Sequence, residues 1–285
     1  MGEKKHPSAG LPPSPRLRRA SRTGPTVGLA LGGGGVKGLA HVGVIRALEK
    51  NNIPIDYISG TSVGSVIGSF YALTRDLKQL EELTRSTELA QAFSVVGDSF
   101  ISGGLLNEEE IYAFIKKNLG TATFSDAKIP FVAVATSAKT GEAVYIDSGT
   151  LVRAVRASTA IPPFFSPLKV KNDLLIDGAY SDPVPARILR KKGADIIIAV
   201  NLEDDYLFQW KKYSNVYGFS LRSVGIFMRS LATLSAQDAD VVITPRVAKY
   251  GWSDMDKAKK IIAIGEKATR FKMDEILDVL RAREV

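Results

Sequence analysis

The chain has 285 residues, 45% of them hydrophobic, and no cysteine. That is material for one large core, and it excludes disulfides, thiolate metal sites and a cysteine nucleophile. No apolar run approaches the length of a membrane span, and the N-terminus lacks the apolar centre of a secretory signal, so a cytoplasmic protein is expected. The net charge is +8, and much of it sits in residues 1–25, where Lys4, Lys5, Arg16, Arg18, Arg19 and Arg22 face Glu3 alone. This stretch also holds Pro7, Pro12, Pro13, Pro15 and Pro25 and almost no large apolar residues. It cannot build a core and is expected to be a disordered tail. It reads as a solvated leader rather than as a contact for anionic lipid or nucleic acid.

From residue 26 the pattern changes. Val27 to Leu31 reads as a short buried strand, followed by GGGGVKG and an amphipathic helix through about Lys50, with Leu39, Val42, Ile45 and Leu48 on one face. Ile55 to Ser59 gives a second strand, Ser65 to Leu73 a helix, and DLKQLEELTRSTEL another helix. Asn107 is placed to cap a helix whose first turn holds Glu108, Glu109 and Glu110. Phe131 to Thr136 is a strand that turns at Lys139 to Glu142 and returns through Val144-Tyr145-Ile146. A helix over about Thr150 to Ala157 precedes a hairpin turned at Lys171-Asn172-Asp173, with Leu174 to Ile176 as its second arm. A helix from Pro183, a strand at Ile196 to Val200, a helix near 220–236, a strand at Val241 to Thr244 and helix over 255–283 complete the chain. Repeated strand–helix alternation predicts a three-layer α/β/α fold around a mostly parallel sheet. Residues 26–285 are expected to form one domain behind the tail.

Gly60-Thr61-Ser62-Val63-Gly64 fits G-x-S-x-G, the pattern of a sharp strand-to-helix turn with the serine at its apex. Glycines two positions either side relieve crowding at that strained apex. The earlier loop, Gly33-x-Gly35-x-x-Gly38, supports two readings. One is a dinucleotide site, which needs an acidic residue at the end of the next strand. Asp56 lies at the start of that strand, and the strand's end runs into the serine turn. The other is an oxyanion hole, in which consecutive glycines let backbone N–H groups converge beside a nucleophile. A Walker A reading fails, because Lys37 follows Val36 and precedes Gly38.

A serine hydroxyl needs a base. His6 lies in the tail, and no histidine follows Ser62, so a Ser–Asp–His order is impossible; His41 stays open as a base, although a histidine on a helix face is more often structural. Among the carboxylates, Asp147 precedes a helix and suits a cap, and Asp182 before Pro183 looks like an N-cap. Asp177, ending the run Leu174-Leu175-Ile176 before Gly178-Ala179, is the best remaining carboxylate. Its basicity would improve with partial burial.

GGGGVKG, GTSVG and DGA, in that order, resemble the patatin-like phospholipase family, and RASTAIPPFF is similar to another stretch common in it. The resemblance extends over about residues 26–245 and is nearest the small single-domain bacterial members. It implies a patatin-like three-layer fold and a lipid acyl hydrolase with a Ser–Asp dyad. By that resemblance Ser62 is the nucleophile, Asp177 the base, and the amides of Gly33, Gly34 and Gly35 the oxyanion hole. Lys37 stands where arginine is commoner and Pro163 where glycine is frequent. The expected substrate is a lipid or other acyl ester, with no metal, cofactor or nucleic acid involved. A thioesterase or acyltransferase on the same dyad, and a non-catalytic dinucleotide- or lipid-binding module, are the alternatives. Finally, Tyr206, Phe208, Trp210, Tyr213, Tyr217, Phe219 and Phe227 are interleaved with Lys211, Lys212, Arg222 and Arg229. That pattern suits peripheral contact at the inner membrane surface, and equally a helix packed on its own protein.

Overall fold

The computed structural model describes residues 24–86, 89, 108–162, 165–203, 216–251 and 254–283. Eight strands form one sheet: β1 (Val27–Leu31), β2 (Tyr57–Thr61), β3 (Phe131–Ser137), β4 (Ala143–Ile146), β5 (Leu168–Val170), β6 (Asp173–Asp177), β7 (Ile196–Val200) and β8 (Val241–Ile243). Their order is β5-β6-β3-β2-β1-β7-β8, with β4 also on β3. The five strands from β3 to β8 run parallel, while β4, β5 and β6 add antiparallel pairings at one end.

The described helices are α1 (Leu39–Lys50), α2 (Val63–Thr74), α3 (Leu77–Thr84), α4 (Glu108–Leu119), α5 (Leu151–Ser158), α6 (Ala186–Lys192), α7 (Val216–Ser235), α8 (Ala258–Phe271) and α9 (Met273–Arg283). Alternation along the central strands divides the core between two faces. Leu29, Leu31, Ile196, Ile198 and Val200 pack with α1, α2, α4 and α8 on one side. Ala30, Ile197 and Ala199 meet Leu189 of α6 and Ala232 of α7 on the other. Leu39, Val42, Ile45 and Leu48 are all buried, as the periodicity of α1 requires. Helices α1 and α8 cross at Gly43 and Gly265, where a Cβ would stand 1.9 Å from the Ile262 carbonyl oxygen and 2.0 Å from that of Ala40.

Local chemistry accounts for most of the boundaries. The Asp76 side chain caps α3 by accepting from the Gln79 amide at 3.1 Å. Lys171 takes φ 53° at the β5–β6 turn. Three expectations shift. The helix after Asp182 starts at Ala186, because Asp182 is engaged elsewhere. Asp147 pairs with Lys192, and Thr150 occupies the N-cap position of α5. The closing helix is broken at Lys272 into α8 and α9. Asn107 and Pro163 lie outside the described residues.

Candidate active site

Strand β2 ends at Thr61, and α2 begins at Val63, so the reversal is concentrated in Ser62. Its backbone takes φ 54° and ψ −126°, a strained conformation for a residue with a side chain. Packing enforces the turn. A Cβ on Gly60 would lie 2.4 Å from the Gly64 carbonyl oxygen, and one on Gly64 would lie 2.1 Å from that of Leu31. The Ser62 amide donates to Ser158 Oγ at 2.9 Å. Ser158 ends α5 inside the RASTAIPPFF stretch; sequence reading assigned that stretch to a family without giving Ser158 a role.

Strand β3 brings Asp177 to this turn. Val134 pairs with Thr61, and the next residue, Ala135, pairs with Asp177. Since β4 occupies one edge of β3 from Ala133 to Thr136, β2 and β6 follow one another along the other edge. The serine after Thr61 and the aspartate ending β6 are therefore neighbours by strand register. Gly178 has to be glycine, because a Cβ there would stand 2.3 Å from the Val134 carbonyl oxygen.

The Asp177 carboxyl is 1% exposed. Its Oδ1 accepts from the Ala179 amide at 2.8 Å, its own amide donates to the Ala160 carbonyl at 2.8 Å, and its Oδ2 has no hydrogen-bond partner. Burial pushes its pKa up to about 7, with the Ala179 amide and the nearby Ser62 hydroxyl drawing it back down. The Ser62 hydroxyl is near enough to the carboxyl to lower its pKa by hydrogen bonding, although the geometry falls short of a full bond to Oδ2.

The glycine loop closes the third side. A Cβ on Gly33 would stand 3.5 Å from Ser62 Cβ and 3.6 Å from Ala179 Cβ, so the loop abuts both the turn and the DGA segment. Gly34 and Gly35 take φ values of +149° and +56°, which only glycine adopts without strain. The three amides are not equivalent. Gly33 donates to the Pro183 carbonyl at 3.0 Å, whereas the amides of Gly34 and Gly35 meet no acceptor among the described residues. Lys37 is drawn to Glu203 at 2.8 Å.

His41 is wholly buried on α1, and its Nε2 lies 2.8 Å from the Gly32 carbonyl oxygen. A carbonyl only accepts, so Nε2 carries the proton and Nδ1 is left bare and without a partner. Burial lowers its pKa to about 4, opposed by the Gly32 bond. Its bond is to the glycine loop, not to Ser62. Asp182 is a second buried carboxyl, bonded by Tyr145 Oη at 2.9 Å and by Ser235 Oγ, and its pKa is raised by burial. It ties α7 and β4 to the segment after Asp177 rather than capping a helix. Asp56 accepts from the Val27 amide at 2.8 Å, a strand-end bond that leaves the dinucleotide reading without its ribose acid. Among the described residues no group of three or more His, Asp or Glu could hold a metal ion.

The family described as patatin-like phospholipase matches residues 29–190. An uncharacterized NTE family protein of Mycobacterium tuberculosis (strain H37Rv) is 35% identical over 192 residues, covering 67% of this chain and 53% of the relative. The lysophospholipase NTE1 of Pyricularia oryzae is 30% identical over 278 residues, covering 86% of this chain and 18% of the relative. The chain thus spans about half the length of the mycobacterial relative and a small part of the fungal one. In fold it is similar to VipD from Legionella pneumophila, with TM-score 0.52, 13% identity, and coverage of 92% of this chain and 67% of that one. A human GIVD cytosolic phospholipase A2, solved with methyl gamma-linolenyl fluorophosphonate, gives TM-score 0.50 at 13% identity, covering 94% and 60%. With the glycine loop, the serine turn and the DGA segment converging inside the matched region, this chain belongs to the patatin-like phospholipase family.

Proposed function

We propose that this chain is a serine lipid acyl hydrolase, cleaving carboxyl esters with Ser62 as nucleophile and Asp177 as base. The observation that carries this reading is the register of β3, which sets a wholly buried carboxyl with one unpartnered oxygen beside the strained serine. A carboxylate with a pKa near 7 accepts a proton at neutral pH far better than an ordinary aspartate. Ser62 Oγ attacks the ester carbonyl carbon while its proton passes to Asp177. The resulting oxyanion is held by backbone amides, and collapse expels the alcohol, which takes the proton from Asp177. Water then attacks the acyl-serine, Asp177 accepting its proton, and collapse expels Ser62 Oγ, which takes that proton back from Asp177 as the fatty acid leaves. The Gly33 amide already has an acceptor in Pro183, so the donor set expected from sequence narrows to Gly34 and Gly35.

The names of the relatives favour a lipid ester as substrate, one being called a lysophospholipase. Among the described residues no helix is long and apolar enough to cross a membrane. A surface for contact with lipid is offered by α7. Phe219, Ile226, Phe227 and Leu234 are 49%, 48%, 62% and 60% exposed and fall along one helical stripe. Ser235, at the end of α7, bonds Asp182 and the Val184 carbonyl, five and seven residues beyond Asp177.

The test is covalent labelling. A fluorophosphonate should label the wild-type protein, and Ser62→Ala should lose both the label and ester hydrolysis while keeping the wild-type melting temperature within a few degrees. A folded Ser62→Ala protein that still labels overturns the assignment.

A further inference from the structure

His41 enters no step of the reaction set out above, yet it is wholly buried in the first turn of α1. Its Nε2–H donates to the Gly32 carbonyl at 2.8 Å, and Nδ1, bare and buried, meets no partner. All of the ring's hydrogen bonding is therefore directed at the residue that opens the glycine loop.

The helix that carries the ring is fixed on both sides of it. The Ala40 carbonyl oxygen would stand 2.0 Å from a Cβ on Gly265 of α8, and a Cβ on Gly43 would stand 1.9 Å from the Ile262 carbonyl oxygen. His41 thus reaches the loop from a helix with no room to slide.

Three bonds hold the start of the loop. The Gly32 amide donates to the Val200 carbonyl of β7 at 3.1 Å, the Gly33 amide donates to the Pro183 carbonyl at 3.0 Å, and the Gly32 carbonyl accepts from His41. The peptide joining Gly32 to Gly33 is therefore bonded at both ends, its N–H to Pro183 and its C=O to His41. No Cβ on either residue restricts rotation of that peptide, so its plane is set chiefly by these bonds. The next two amides, of Gly34 and Gly35, are the ones that meet no acceptor among the described residues. Of the three groups that hold the loop, two are backbone carbonyls and His41 is the side chain. We infer that His41 is a positioning residue for the oxyanion donors: it holds the Gly32 carbonyl and, through that peptide, sets the direction of the Gly34 and Gly35 amides. The inference rests on the reaction proposed above. In this role the imidazole touches no substrate and takes no proton. It acts by keeping an N–H at Nε2.

The experiment pairs His41→Leu with His41→Gln on p-nitrophenyl butyrate. Rates are taken per site titrated with a fluorophosphonate, so the folded fraction drops out. Leucine fills the core without a donor, and kcat should fall by about 10-fold to 10²-fold with KM changed far less. The rate of fluorophosphonate labelling should fall in parallel, because the phosphoryl oxygen uses the same donors. Glutamine carries an N–H to about the reach of Nε2, and should return kcat to within about fivefold of wild type. A His41→Leu protein within about twofold of wild type in kcat, a loss confined to KM, or a folded His41→Gln no better than His41→Leu overturns the inference.

A second measurement needs no variant that disturbs the core. The chain has two histidines, His6 and His41, so His6→Ala assigns the ring-nitrogen NMR spectrum. Above about pH 5, His41 should be neutral with its proton on Nε2, and that N–H resonance should move when the fluorophosphonate occupies Ser62. A proton on Nδ1, or a resonance indifferent to labelling, overturns the inference. All of these failures leave Ser62 labelled. Labelling that survives Ser62→Ala overturns the reaction itself, so the two are distinct.

Discussion

The two walls that meet at Ser62 are built on opposite principles. On the side of β1, β2 and α2 there is no spare volume: a single methyl on Gly60 or Gly64 would collide with backbone at 2.4 Å or 2.1 Å. On the side of α4 and α5, joined to the first through Ser158, about 200 Å³ remains open. Attack at a carbonyl tolerates little displacement, since about 1 Å of misplacement can cost 10²-fold, and the proposed nucleophile stands on the side without slack. The tight wall carries strain at Ser62 and leaves a carboxyl oxygen unsatisfied at Asp177. Both are costs in stability.

The largest expected effect comes from Asp177→Asn, because in the proposed reaction it removes the base and it relieves that cost at once. Asn can still accept from the Ala179 amide, so the fold should persist, while kcat falls by about 10²–10⁴. Burial holds the Asp177 pKa at about 7 against 3.8 for an ordinary aspartate. As pH rises, the unfolded chain releases this proton first, and the native state follows only near 7. The stability contribution is therefore intact below about pH 4 and lost progressively as pH rises through 7. Asparagine has no proton to lose. Asp177→Asn should melt higher than wild type at pH 8, by at least about 3 °C, with the gap closing toward pH 4. A variant that is inactive and less stable at pH 8 would show that the carboxylate supports the tight wall instead of straining it. The same ionisation sets the pH profile: kcat/KM on a soluble ester should rise tenfold per pH unit below about 7 and level above it. His41, held near 4, contributes no limb to that profile in this range.

Gly64→Ala should have the next largest effect. The added methyl meets the Leu31 carbonyl oxygen, a backbone atom that cannot rotate away. The turn must shift, and kcat should drop about 10²-fold with KM changed far less, since the change displaces the proposed nucleophile and leaves the rest of the surface as it was. Steady-state kinetics on a soluble ester would check this, and a change confined to KM would mean that the turn absorbs the methyl without moving Ser62.

What was legible in the sequence follows the same division. Ser62, Asp177 and the glycine loop announce themselves because a tight wall is written in short, local patterns: glycines at fixed offsets, a serine at an apex, a carboxylate before Gly178. The β1–α1–β2–α2 segment could be placed for the same reason. Partners that arrive from afar could not. The Pro183 carbonyl that engages the Gly33 amide is 150 positions downstream, and the Ser158 hydroxyl under Ser62 is 96 positions away. Asp182 carried the local signature of a helix cap, and its bonds to Tyr145 and Ser235 overrode that signature. The cavity depends on how α4 meets α5, a packing outcome with no motif of its own.

The smallest expected effect lies outside both walls, on α7. Phe227 is 62% exposed and Ile226 48%, so replacing them with serine removes little packing from the core. Much of the aromatic and basic stretch read from the sequence, from Tyr206 to Tyr213, lies outside the described residues. The exposed stripe is what can be tested. If it rests on lipid, Ile226→Ser with Phe227→Ser should weaken hydrolysis of phospholipid vesicles by several-fold to about tenfold, each side chain losing part of its burial in the interface. Turnover of p-nitrophenyl butyrate should be unchanged, because both side chains are largely exposed and neither belongs to the proposed dyad. The control is the melting temperature, which should move by no more than a degree or two for such exposed positions. Equal losses on vesicles and on the soluble ester, or a drop of several degrees, would instead assign the stripe to the fold and leave the chemistry without a docking face on α7.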